Sequence, residues 1–119
     1  MKNTQIEVTI SYDKTNEVFE TNAEWQDALL TFKDSKDAHH TFMLMGDSIR
    51  FVKKGEAYLD FTFQEGLSEG IYRMDGYTIT FDIKTHQLFF TDQVLDIHYV
   101  LIQDQEIISK HTIKIKRIT

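Results

Sequence analysis

The chain has 119 residues, with 13 basic and 19 acidic side chains for a net charge of −6, and it contains neither cysteine nor proline. Size scaling puts about 20,000 Å² on the unfolded chain and about 6,700 Å² on the folded one, so a single domain over residues 1–119 can bury a core of its own. The missing cysteine excludes disulfide scaffolds, thiolate metal sites and cysteine nucleophiles. The acidic balance disfavours nucleic acid as a partner. No run approaches 18 apolar residues, and Met1-Lys2-Asn3-Thr4-Gln5 has no signal-peptide core, so the expectation is a cytoplasmic protein without a membrane span.

Thirteen Ile, thirteen Thr and fifteen aromatics against four Ala favour a pleated, half-buried surface over helix. In chain order, Ile6, Val8, Ile10 and Tyr12 alternate with Glu7, Thr9 and Ser11, which predicts a strand with one face on a core. Asp13-Lys14-Thr15-Asn16 reads as a polar loop. The next segment is open to two readings. Thr21-Asn22-Ala23-Glu24 has capping-box spacing and Trp25, Ala28, Leu29 and Phe32 form a helical stripe, whereas Ala28, Leu30 and Phe32 also fit a strand. Gly46-Asp47 separates Phe42–Met45 from Ile49–Val52, and Lys54-Gly55 precedes the alternating Ala57, Leu59, Phe61 and Phe63. Glu65-Gly66 and Glu69-Gly70 read as two bends. Asp75-Gly76 before Tyr77 predicts a type I′ hairpin turn, since Asp-Gly tolerates positive φ. Tyr77, Ile79, Phe81 and Ile83 form the following strand, and Lys84-Thr85-His86 reads as a loop. Leu95, Ile97, Tyr99 and Leu101 alternate, as do His111, Ile113 and Ile115, with Thr91-Asp92 and Gln103-Asp104-Gln105 as loops. Ten or eleven strands at roughly ten-residue spacing predict an all-β meander, either a sandwich or a closed barrel.

The order of these features resembles the YwiB-like family of small, uncharacterised proteins from Gram-positive bacteria. The residues that carry the resemblance are Leu30-Thr31-Phe32-Lys33, Thr41, Ile49-Arg50-Phe51-Val52-Lys53-Lys54-Gly55, Leu59, Phe63, Gly66, Tyr72, Gly76, Ile97-His98-Tyr99-Val100-Leu101 and Ile113-Lys114-Ile115. The chain departs from the family pattern at Lys53, where arginine is usual, and near His111, where asparagine is. The resemblance implies a single antiparallel barrel of calycin or lipocalin type, closed or nearly closed, with about eight to ten strands. It also implies that residues 25–33 are largely strand. It implies no enzymatic activity.

The residues themselves offer little catalytic chemistry. His39 and His40 are adjacent and would point to opposite faces of a strand, and His86, His98 and His111 lack ligand spacing, so no metal site is expected. No serine lies in a nucleophile elbow, the glycines are single, and no catalytic residue or cofactor is expected. Lys110, Lys114, Lys116 and Arg117 form a basic cluster, read as a solubilising stripe on an outer or edge strand. The expected inward set includes Leu59, Phe61, Phe63, Tyr72, Met74, Phe81, Tyr99, His111, Ile113 and Ile115. Nine Phe and five Tyr should fill most of that interior. Phe61, Phe63, Tyr72, Tyr99 and His111 are the candidates to contact a small apolar or amphipathic ligand at the barrel mouth. The alternative is a packed barrel that docks a protein partner through its acidic surface or its basic last strand.

Overall fold

A computed structural model describes residues 3–118; Met1, Lys2 and Thr119, the ends of the 1–119 span, lie outside the described residues. Ten antiparallel strands follow one another around a cylinder: β1 (Asn3–Tyr12), β2 (Thr15–Gln26), β3 (Leu29–Lys33), β4 (His39–Met45), β5 (Ser48–Lys54), β6 (Tyr58–Phe63), β7 (Gly66–Met74), β8 (Tyr77–Phe90), β9 (Val94–Gln103) and β10 (Glu106–Arg117). Pairing of β1 with β10, from Ile6 opposite Arg117 to Tyr12 opposite His111, closes the barrel. Closure leaves no edge strand, so the lysines of β10 do not guard an edge. Lys116 instead approaches Glu7 of β1 at 3.5 Å on the outer face. Outward charges pair elsewhere too, with Arg50 on Asp60 at 2.7 Å and His98 on Asp96 at 3.0 Å.

The segment with two readings is strand, turn and strand. β2 runs to Gln26, Asp27 turns with φ of 54°, and β3 begins at Leu29. Trp25 and Leu30 face each other across that hairpin, both in the core. Asp75 and Gly76 both take positive φ, 50° and 82°, as the hairpin turn requires.

Three expected loops are corrected. Thr15 and Asn16 already belong to β2. Lys84-Thr85-His86 lies inside β8, where the register shifts between Thr85 and Gln87. The extra residue, His86, is a β-bulge that lets Thr85 and Leu88 both face inward despite their odd spacing. Gly70 is not a bend but the middle of β7, opposite Phe61 and Phe81. A Cβ there would stand 2.5 Å from Cδ1 of Phe61 and 2.7 Å from Cδ1 of Ile83, so glycine makes the room that the Phe61 ring occupies.

One end of the barrel is filled. Ile6, Val8, Leu30, Phe42, Ile49, Phe63, Leu95, Ile97 and Ile115 are fully buried there. Trp25 and Phe90 meet edge to face at 6.2 Å. The guanidinium of Arg117 lies 5.0 Å from the Trp25 ring centroid and donates to the carbonyls of Trp25 and Asp92 at 3.1 and 2.9 Å. Arg117 therefore closes this end, whereas Lys110, Lys114 and Lys116 remain outside. Aromatic contacts then run across the interior, from Phe42 on Phe51 at 4.5 Å to Phe63 on Tyr99 at 4.6 Å.

Two substitutions test this packing. Phe61→Ala should cost about 3–5 kcal/mol by denaturant titration, the range for deleting a packed aromatic ring. Gly70→Ala should cost about 1–3 kcal/mol through overpacking; a neutral result would place the Phe61 ring elsewhere.

Candidate functional site

The end opposite Arg117 is open. It holds a cavity of about 400 Å³ between the inward faces of β1, β4 to β6 and β7 to β10. Of the residues singled out from sequence, Phe61, Tyr72, Tyr99 and His111 line it. Phe63 is fully buried below, with its ring 6.2 Å from Phe61 and 4.6 Å from Tyr99. Phe51, Leu59, Ile79, Phe81, Leu101 and Ile113 complete the apolar wall.

Polar groups sit on two opposed sides. On β10, Ser109 Oγ and His111 Nε2 are 2.7 Å apart, and the His111 ring stacks on Tyr99 with centroids 4.9 Å apart. Tyr12 of β1 tilts against the same imidazole at 4.8 Å. Four and five strands around the ring from β10, His40 of β4 and Lys53 of β5 pair in register, and both line the cavity. His40 stacks on Phe32 at 4.7 Å and its Nε2 lies 2.9 Å from Oδ2 of Asp34. The 34–38 loop is built around that carboxylate, which also accepts the backbone N–H groups of Lys36 and Ala38 at 2.8 and 3.1 Å. Tyr72 directs its hydroxyl at Met74 Sδ, 3.1 Å away.

Burial sets the protonation states. Desolvation pushes His40 below the usual imidazole value, against the opposing pull of Asp34, and Lys53 adds to the depression. Desolvation likewise lowers His111, with Asp13 opposing it. Burial alone raises Tyr99. Burial would raise Asp34, but its hydrogen bonds from His40 and the loop amides prevail and hold it below the ordinary carboxylate value. Near neutral pH the His40–Asp34 contact is thus a neutral imidazole donating to a carboxylate, and the cavity wall carries uncharged imidazoles.

His40, Lys53 and Ser109 were not singled out from sequence. The signal was present in the period of two: His40 keeps register with Phe42, and Lys53 with Phe51 and Ile49. Ser109 stands two residues before His111 and shares its register directly, the bulge between Ile107 and Ser109 lying ahead of the pair.

A larger hollow of about 820 Å³ lies toward the closed end, beside the β8 bulge, lined by Asp47, Ser48, Gln64, Glu65, Thr85 and His86 among others. Its walls are carboxylates, amides and hydroxyls open to water rather than a converging site. Among the described residues, no group of three or more His, Asp or Glu is placed to hold a metal ion.

Over residues 2–115 the sequence matches the profile of the family described as Domain of unknown function (DUF1934). The crystal structure of the ywiB protein from Bacillus subtilis has the same fold, with a TM-score of 0.59 at 12% identity, covering 98% of this chain and 91% of that one. These two findings bear out the resemblance to the YwiB-like family and the all-β barrel it implied. No curated protein matches the chain.

The depressed imidazoles predict the pH dependence of stability. An unfolded histidine titrates near 6.5 and a buried one lower. Their contribution to stability is therefore fully present above about pH 6.5 and is lost as pH falls through the lower folded values. The wild-type urea midpoint should drop between pH 7.5 and 5, and less so in His40→Gln, whose amide still reaches Asp34. Glu17 acts on the same imidazole and opposes the drop. A midpoint flat across that range would contradict the assignment.

Proposed function

We propose that this chain, which belongs to the DUF1934 family, is a non-enzymatic binding protein whose open barrel end takes one small amphipathic ligand. One observation carries the reading: an apolar cavity of about 400 Å³, open to solvent, with hydroxyl and imidazole groups gathered on its wall. Sites for small molecules usually pair apolar walls with a few placed polar groups in this size range. The outward ion pairs support a barrel bathed in water, where a lipid-facing one would carry an apolar band. The absence of cysteine accords with work in the reducing cytoplasm.

A second reading, docking of a protein partner, draws on Tyr77, Ile107 and Ile108, apolar side chains exposed around the same opening.

Native mass spectrometry of freshly purified protein, followed by titration with the small neutral fluorophore 1-naphthylamine, separates the two. The ligand reading predicts a co-purified small molecule or saturable 1:1 uptake of the dye. It also predicts roughly tenfold weaker uptake in Ile79→Trp, equivalent to about 1.4 kcal/mol. Absence of any adduct together with no saturable uptake by the wild type would overturn it.

A further inference from the structure

Two hydrogen-bonding groups on the cavity wall are left without a protein partner. Tyr99 is only 5% exposed, and no described residue hydrogen-bonds its hydroxyl. His111 uses Nε2 with Ser109, which leaves its other ring nitrogen unpaired among the described residues. The two rings are parallel within 6° and occupy opposed positions on β9 and β10, so both unmet groups belong to one patch of one wall. Neither atom is sealed off, unlike Trp25 Nε1 and Thr85 Oγ1, the enclosed unpaired atoms among the described residues, so both can take a partner that enters through the opening.

The patch also limits what that partner can be. Neither ring is charged near neutral pH, and the cation lining the cavity, Lys53, stands on the far wall. An anionic head group pressed against Tyr99 would lose its hydration with no cation on that wall, and the carboxylate that acts on His111, exposed Asp13, already accepts the Lys110 amide at 3.2 Å. A hydroxyl can accept from the tyrosine O–H and donate to the imidazole nitrogen; a carbonyl oxygen can accept from both rings. The lip of the cavity is apolar on this side, where Tyr12 and Ile108 are half exposed, and suits a hydrocarbon portion.

Resting on the reading of this cavity as a ligand site, we infer that its occupant is an uncharged amphiphile that enters polar end first, setting a hydroxyl or carbonyl oxygen against Tyr99 and His111. At about 30 Å³ per water-sized unit, the volume admits roughly a dozen non-hydrogen atoms.

Calorimetric titration of the full chain at pH 7 with octan-1-ol, octanoate and octylammonium tests the inference, because the three probes share a saturated eight-carbon skeleton and end in different head groups. The alcohol should bind most tightly. Tyr99→Phe, which keeps the ring, should weaken the alcohol roughly two- to tenfold, the range for one neutral hydrogen bond. Circular dichroism and melting of the variant check that it folds, and the ranking of the three probes on the wild type stands independently of it. Tighter binding of octanoate, abolished by Lys53→Gln but not by Tyr99→Phe, would place the polar end at Lys53 and overturn the inference while leaving the cavity as a ligand site. Equal binding of all three, unaffected by Tyr99→Phe, would overturn it likewise. Failure of every probe to bind would remove the ligand site and the inference together.

Discussion

Closure of ten strands into one hydrogen-bonded ring is the constraint from which the rest of the structure follows. Barrel diameter grows with strand number, and about eight strands already enclose a space that side chains just fill. Ten enclose more. Aliphatic side chains alone would leave the middle empty, and a dry void forfeits dispersion contacts. The aromatic content answers that geometry. Rings from β4, β5, β6 and β9 meet across the interior, where Phe42, Phe51, Phe63 and Tyr99 form a continuous series of contacts. Gly70 shows how tight that level is, since even one methyl group would collide with Phe61.

The filling is lopsided, and this makes the two ends chemically different. At one end Arg117 ties β10 to the Trp25 carbonyl and to the turn at Asp92, with its charge spread over the indole face. Below it the buried residues are mainly aliphatic or aromatic, with Thr4 and Thr85 among them. At the other end the same inward register delivers His40, Lys53, Tyr72, Ser109 and His111. Polar groups placed in register with a core are costly unless paired, and most of these are paired: His40 with Asp34, Ser109 with His111, Tyr72 with Met74. Lys53 and Tyr99 have no such partner among the described residues, and Tyr99 stands where the filled half gives way to the open one.

The all-β meander is legible because period-two alternation survives in nearly every strand, with Ile6 to Tyr12 and Leu95 to Leu101 facing the interior at alternate positions; alternation leaves sandwich and barrel open, and the resemblance to the YwiB-like family is what points to the barrel. What misled was polarity inside strands. Lys84-Thr85-His86 looked like a loop because three polar residues interrupt the apolar alternation, whereas a bulge absorbs His86 and keeps the strand running. Gly70 looked like a turn because glycine is common in turns, yet its role is to yield space to a ring on the neighbouring strand. Residues 22–33 fitted a helix as well as a strand, and the pairing of Trp25 with Leu30 decides between them, a contact that no local pattern encodes. Phe61, Tyr72, Tyr99 and His111 could be placed on the inward face from the same alternation. That a cavity lies above Phe63 rather than beneath it depends on how ring volumes add up across ten strands, which spacing along the chain does not report.

The asymmetry of the interior is most directly measured by methyl-resolved NMR during titration with benzene, a probe small enough to enter any apolar void and indifferent to head-group chemistry. The account predicts saturable shifts for the methyls of Leu59, Ile79, Leu101 and Ile113 around the open end, with those of Ile6, Leu30, Ile49 and Leu95 unmoved. Shifts of equal size at both ends, or none at the open end, would contradict it.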